Sequence, residues 1–326
     1  MLISPRDRAG TIAYAGRFLI IGYLFLKHGQ IPRYYLPKLL FKLRLQSRYI
    51  KREILNNEMY LDLKDEGLSR DLLKTGIREA LAVKLVHQEV KPGDIVADIG
   101  ANIGYYALLE ARLVGDKGKV YAIEPVPENV ELLRRNVKLN KYQNVEVFQL
   151  AIGNKNRTNF IYLSSKRNWS SMIRTKQAAP TIKGKIPVQE VTFGDFCLKN
   201  RLYPNFIRMD VEGYEVEVIE GMKDLLKDKR GLKILMEIHP YRGKEIKLML
   251  KTLREHGFEC KAVINEPDSP QLLIQKEPQF LKKMFNFCNE RLGIYPSGLF
   301  NMTLGQLIES EFLSKAGWVH VLFERK

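Results

Sequence analysis

The stretch DIVADIGANIGYYALLEA, residues 94–111, constrains this chain most. An apolar run ends in a carboxylate, passes through a glycine turn and enters a helix-forming segment. Such a strand–turn–helix unit is the phosphate- or nucleoside-binding element of open α/β sheets. The alternation continues downstream. The hydrophobic pattern predicts strands over 94–99, 119–124, 145–151, 205–210, 233–239, 258–264 and 318–324, with helices over 103–114, 127–140, 214–227 and 243–256. Strands separated by helices of this length imply a mostly parallel sheet covered on both faces. Upstream, MYLDL (59–63) alternates like a short strand. Residues 69–90 read as one helix, with Ser69 as a plausible N-cap and Leu72, Leu73, Ile77, Leu81 and Leu85 on its apolar face.

Two segments break the rhythm. Residues 153–200 are polar, contain KRNWSSM, and read as a hairpin or lid; residues 265–317 read as a helical insertion before the last strand. The chain then divides into a basic helical extension, 1–57, and a catalytic domain, 58–326. Pro32 and Pro37 are expected to break any single long helix in the extension.

The glycine turn does not suit a dinucleotide. Where G-x-G-x-x-G would be required, the chain has Gly100, Asn102 and Tyr105. Asp98 at the strand end would repel a diphosphate. It suits a cofactor carrying an ammonium and a sulfonium and no phosphate, and S-adenosylmethionine is such a molecule. Asn102 visits the left-handed region more readily than most residues, and Gly100 and Gly104 allow close backbone approach. One βα unit later KVYAIEP ends in Glu124, whose two oxygens could accept both ribose hydroxyls. The competing reading makes Glu124 a cap for the helix near Pro127.

These segments together with VYAIEPVPENVELLRRNVKLN, VEVFQLAIGN and FIRMDVEGYEVEVIEGM resemble the FkbM family of S-adenosylmethionine-dependent methyltransferases. The likeness covers about residues 59–239, with VHVLFERK similar to the family's end. DVEGYE is its specific part. The resemblance implies a class I methyltransferase, Rossmann-like, with a seven-stranded sheet whose last strand is antiparallel, and O-methylation, often of sugars or natural products. Pro125, Asn129 and Ala151 join the cofactor-binding candidates on this ground. So does Glu79, which matches a family glutamate near the cofactor and is read either as receiving the methionine ammonium or as an exposed helical charge.

The chemistry of methyl transfer requires an aligned nucleophile and, for an alcohol, a base. Such groups belong at the carboxyl ends of the fourth and fifth strands. Asp210 ends the fourth, followed by Glu212 and Glu215; Glu237 and His239 end the fifth. One reading is a general base, His239 or Asp210. A second is a divalent-metal site, Mg or Mn, made by Asp210, Glu237 and His239. Glu212 is a catalytic candidate, and Glu212 and Glu215 also read as N-terminal charge on the next helix. The Asn/Asp-Pro-Pro-aromatic box of amino-methylating enzymes is missing after the fourth strand, which disfavours N-methylation of a base and leaves RNA ribose modification open.

Formal net charge is +16, and residues 1–60 hold 11 Lys/Arg against 3 Asp/Glu. That bias points to an anionic partner, a membrane surface or a nucleic acid. The apolar run Phe18–Leu26 has 9 residues, well short of the roughly 20 a spanning helix needs. It reads as an interfacial helix or as one packed on the main domain. Cys197, Cys260 and Cys288 have neither disulfide nor metal spacing, which favours a reducing, cytoplasmic setting, peripheral to the membrane if the extension binds one. The leading function is O-methylation of a small-molecule, glycan or lipid-linked acceptor. The alternatives are RNA modification and a non-catalytic membrane-associated scaffold.

Overall fold

The computed structural model describes residues 19, 20, 23, 27, 30–43, 47–174, 179–266, 278–281, 283–284, 298–310, 313 and 318–325. Helix α1 (Gln30–Lys42) precedes a hairpin of β1 (Tyr49–Ile54) and β2 (Asn57–Asp62), then α2 (Leu68–Thr75) and α3 (Ala80–Glu89). The central alternation follows: β3 (Ile95–Ile99), α4 (Tyr105–Val114), β4 (Lys119–Ile123), α5 (Pro127–Leu139) and β5 (Val145–Phe148). Next come β6 (Ala151–Gly153), β7 (Arg157–Ser164), β8 (Ile182–Thr192) and α6 (Phe193–Asn200). The chain finishes with β9 (Phe206–Met209), α7 (Glu215–Glu220), α8 (Lys223–Lys227), β10 (Leu232–Ile238), α9 (Gly243–Glu255), β11 (Glu259–Asn265), β12 (Gly298–Phe300), α10 (Leu304–Glu309) and β13 (Val319–Arg325).

The main sheet runs β12-β11-β13-β10-β9-β3-β4-β5. β3, β4, β5, β9 and β10 pair in parallel, and β13 inserts antiparallel between β10 and β11. This is the expected Rossmann-like sheet with its antiparallel last strand, widened at one edge by the short β12. Its central strands are buried on both faces, as parallel strands under helices must be. On one face α6 to α10 bury Phe193, Phe196, Val218, Ile219, Met249, Leu250, Leu253 and Leu307 against Ile207, Met209 and Met236. On the other, α3 to α5 and the β1–β2 hairpin bury Val86, Leu108, Leu109, Leu133, Met59 and Leu61 against Val96, Val120 and Phe206. Each such side chain contributes about 1.5–3 kcal/mol relative to exposure.

Several expectations need correction. Residues 69–90 form two helices, because Gly76 closes α2 in the left-handed region (φ 75°) and Glu79 (φ 52°) turns the chain again before α3. Ser69 lies inside α2 and accepts from the Asp62 N–H; the N-cap position is Gly67. Residues 214–227 likewise split at Gly221, where a Cβ would sit 1.9 Å from the Gly153 carbonyl oxygen, so α7 and α8 bend around β6. The predicted strand 145–151 divides between two sheets, since Ala151 opens β6, which joins β8 and β7 in a three-stranded sheet. The extension is not wholly helical, for β1 lies within it, and the 265–317 insertion contains β12. α1 runs through both prolines: Pro32 falls in the first turn, where a missing N–H costs nothing, and Pro37 lies inside. Phe18, most of the run to Leu26, and Cys288 lie outside the described residues. No helix among the described residues is long and apolar enough to cross a membrane.

Candidate active site

A pocket opens at the carboxyl ends of β3, β4 and β9. Gly100, Asn102, Glu124, Pro125, Asn129, Ala151, Asp210 and Glu212 line it, and so do Arg167, Asn168 and Ser171 from the β7–β8 hairpin. The turn after β3 is left-handed at Gly100 (φ 87°), Asn102 (φ 50°) and Gly104 (φ 95°). This lets the backbone double back over the strand end.

Glu124 is 5 % exposed and held on both oxygens. Oε2 accepts from the Asn102 N–H at 3.0 Å, and Oε1 from the Val126 N–H at 2.9 Å and from Asn129 Nδ2 at 3.1 Å. Val126 is itself the N-cap position of α5. The carboxylate therefore does not cap the first turn. Burial pushes its pKa up to about 7 against these donors.

A cofactor is tested by what the cavity leaves unmet. Four buried oxygens on lining residues have no hydrogen-bond partner among the described residues: Asn102 Oδ1, Asn129 Oδ1, Asn168 Oδ1 and Asp210 Oδ1. All four are acceptors. A ligand rich in donors, with ribose hydroxyls and an ammonium, answers them; a diphosphate does not. S-adenosylmethionine fits this set.

Deeper in the crevice lies a buried charge network. The carboxylates of Glu79, Asp98, Asp210, Glu212, Glu215 and Glu237 pair with Arg78, Arg208, His239 and His320. Asp98 does not face the cavity as expected. It is 0 % exposed and opposite Arg208 in the β3–β9 register, where Oδ1 accepts from Arg208 Nη1 at 3.4 Å. Arg208 also donates to Asp210 Oδ2 at 2.9 Å and to the Gly100 carbonyl at 3.3 Å, and it lies over the Tyr106 ring. It thus braces the ends of β3 and β9 together. Burial lifts Asp98 to about 6 despite Arg208. Gly104 also lies off the cavity: a Cβ there would strike Leu133 at 2.7 Å, so its role is helix packing.

Glu79 stands away from the cavity lining. It accepts from Arg78 Nε at 2.6 Å and from the Tyr106 hydroxyl at 2.9 Å, with His320 Nε2 at 3.4 Å. Burial opposes its ionisation, but Arg78 and His320 outweigh that and hold its carboxyl well below the usual range. It is therefore no exposed helical charge. His239 places Nδ1 2.8 Å from Glu215 Oε1 and Nε2 3.3 Å from Glu212 Oε2, with its ring stacked on Tyr241. Burial would lower its pKa, yet Glu212 and Glu215 raise it well above the ordinary value. Glu215 also accepts from the Gly213 N–H, so neither glutamate is merely helix-end charge.

The anticipated triad of Asp210, Glu237 and His239 does not assemble. Ligand atoms instead gather within 4.8 Å in two groups, Asp210–Glu212–His239 and Glu79–Glu237–His320. Glu237 lies between two histidines: Oε2 is 3.7 Å from Nε2 of His320, its partner across β10 and β13, and Oε1 is 3.8 Å from His239 Nε2. Burial, with Asp210 and Glu79 adding to it, lifts Glu237 to about 8. Sequence reasoning missed Arg78, Arg208, Tyr106, Asn168 and His320. For two of them a signal existed: a lone arginine two residues before Asp210 in a short apolar strand, and a lone histidine within VHVLF.

The Methyltransferase FkbM domain model matches residues 98–260, half of the chain. The chain belongs to the FkbM methyltransferase family. Its domain is that of an S-adenosylmethionine-dependent methyltransferase. Protein-L-isoaspartate O-methyltransferase of Methanothrix thermoacetophila is 41% identical over 59 residues, 18% of this chain and 28% of the relative. The chain thus spans little more than a quarter of that enzyme's length. Hexuronic acid methyltransferase AglP of Haloferax volcanii is 25% identical over 174 residues, 53% of this chain and 66% of the relative. Among solved structures, M. jannaschii TYW2 in complex with AdoMet aligns with TM-score 0.41 and 14% identity, over 86% of this chain and 88% of that one.

Proposed function

We propose that this FkbM methyltransferase transfers a methyl group to a hydroxyl of a small-molecule, glycan or lipid-linked acceptor, most simply a sugar. The observation that carries the reading is the pair Asp210 and Glu212 at the cavity wall, one with an unmet oxygen and the other backed by His239. A partial relative that acts on hexuronic acid supports a sugar acceptor.

In this reading the cofactor supplies an electrophilic methyl on a sulfonium. Asp210 is steadied through Oδ2 by Arg208 and uses Oδ1 to orient the acceptor hydroxyl. Glu212 takes the proton, since burial raises its pKa toward that of a useful base. His239, carrying a proton between Glu212 and Glu215, positions Glu212 and is not itself the base. The excess of carboxylates favours a cationic cofactor in the crevice.

Asp210, Glu212 and His239 bring one ligand atom each within 4.8 Å of one another, as do Glu79, Glu237 and His320. No step is assigned to a metal at either group.

The test is incubation of the purified chain with labelled S-adenosylmethionine and separate glycan, lipid and RNA fractions. Label should enter the glycan or lipid fraction. Glu212→Gln should lower transfer about 10²–10⁴-fold while S-adenosylhomocysteine affinity is kept. Label in RNA alone, or full activity in Glu212→Gln, would overturn the reading.

A further inference from the structure

Arg78 is fixed at its backbone and at one edge of its side chain. One phenol clips its backbone on both sides: the Tyr105 hydroxyl accepts from the Arg78 N–H at 3.0 Å and donates to the Arg78 carbonyl at 2.7 Å. The next residue, Glu79, is left-handed (φ 52°, ψ 54°), a conformation that costs a non-glycine residue energy and persists only where its surroundings impose it. Glu79 in turn accepts from Arg78 Nε at 2.6 Å and is itself fixed by Tyr106. Backbone and side chain are therefore both set before any ligand arrives.

The other edge of the guanidinium is open. Among the described residues neither Nη1 nor Nη2 of Arg78 has a hydrogen-bond or ion-pair partner, and the side chain is 20 % exposed. The neighbouring arginines differ. Arg208 is spent on Asp98, Gly100 and Asp210; Arg167 on Asp62 and Glu128; Arg242 on Glu217. The anchor of Arg78 leads to the crevice: Tyr106, which holds Glu79, lies under Arg208, and Arg208 donates to Asp210 on the cavity wall. A planar fork of two donors, pre-set at the crevice, is the geometry that grips a carboxylate through two parallel bonds.

We propose that the open edge of Arg78 is a carboxylate-binding fork of the active site. Two sources of that carboxylate reach the crevice. One is the amino-acid end of the cofactor, a zwitterion that would set its carboxylate on Arg78 and its ammonium among the surrounding carboxylates. The other is a uronate acceptor. The inference rests on the cofactor and acceptor readings given above and adds the residue that selects for an acid group.

The test is calorimetric binding, with the full chain and its Arg78→Gln and Arg78→Lys variants. The probes are S-adenosylhomocysteine, methylthioadenosine, which lacks the amino-acid end, and methyl glucuronoside or methyl glucoside added over S-adenosylhomocysteine. If the cofactor supplies the carboxylate, Arg78→Gln weakens S-adenosylhomocysteine at least tenfold and leaves methylthioadenosine unchanged, with Arg78→Lys between. If the acceptor supplies it, S-adenosylhomocysteine is unchanged, glucuronoside binding falls at least tenfold and glucoside binding does not. Unchanged methylthioadenosine binding also reports an intact fold. Equal loss of both nucleosides makes Arg78 structural and overturns the proposal, as does no loss with any probe. A parent chain that binds neither nucleoside overturns the cofactor reading itself and this inference with it.

Discussion

Gly100 and Asp210 meet backbone to backbone where β3 and β9 end side by side. A Cβ on Gly100 would lie 1.8 Å from the Asp210 carbonyl oxygen, and Gly100 has φ 87°. The two strands that carry the cofactor turn and the proposed chemistry are thus locked by a contact only glycine permits. Gly100→Ala must separate the strand ends or strain the turn, at about 1–3 kcal/mol for the backbone alone. The expected outcome is a lower melting temperature and at least tenfold weaker S-adenosylhomocysteine binding. Parent-like values for both would mean the strand ends have slack.

Glu124 should dominate recognition of the ribose. Glu124→Ala is expected to weaken S-adenosylhomocysteine by about 1–3 kcal/mol, through lost bonds to an ionised acceptor. Its pKa near 7 adds a sign. Hydroxyl donors bind the carboxylate and not the acid, so affinity should rise as pH climbs through 7, and Glu124→Gln should flatten that rise. Calorimetry at pH 6, 7 and 8 separates the two.

How much of this was legible in the sequence follows from what a sequence pattern can encode. The order of strands and the two turn glycines were readable because period and punctuation are local. The split of 69–90 at Gly76 and Glu79 was not, since apolar spacing carried straight across it. Lining positions such as Glu124 and Asn129 were reached through strand ends and family likeness. Asp98 was read as cofactor-facing because strand-end position says nothing of which face a side chain takes, and Arg208 stands opposite it only once β9 pairs with β3. The regrouping of Glu237 with His320 has the same origin, residues 83 positions apart in sequence brought into register by β13.

The ligand-free protein should lose stability as pH rises from about 5 to 8. Asp98, Glu124 and Glu237 have folded-state pKa values near 6, 7 and 8, above their ordinary ones. Between the two values the folded state holds more protons than the unfolded, so unfolding free energy falls with pH. His239 and His320, also raised, act with the same sign above their ordinary pKa. Glu79 acts oppositely, but only below its ordinary carboxyl range. A melting curve series should show the decline, shallower in Glu237→Gln; a flat or rising profile would contradict the buried network.

Chelation tests the reading of the histidines. With no step assigned to a metal, exhaustive treatment with a chelator should leave methyl transfer within about twofold of the untreated chain. A loss restored by Mg²⁺ or Mn²⁺ would reassign Asp210, Glu212 and His239 as ligands.

The N-terminal region predicts a membrane contact. α1 packs toward α2 with Pro37 buried, while Leu36, Leu39 and Leu43 are 54, 53 and 57 % exposed at spacings of three and four along one face. The net charge of residues 1–60 is +8, 11 basic against 3 acidic. An apolar stripe bordered by basic side chains suits an anionic bilayer surface, where each Lys or Arg contributes about 1 kcal/mol. A lipid-linked acceptor would then meet the crevice at the membrane. The full chain should sediment with vesicles containing phosphatidylserine at low salt and be released as salt shortens the screening length. Replacing Leu36, Leu39 and Leu43 by serine should abolish sedimentation without changing S-adenosylhomocysteine affinity, which separates the surface from the site. If the full chain stays in the supernatant at low salt, the leucine stripe serves another purpose and the membrane reading fails.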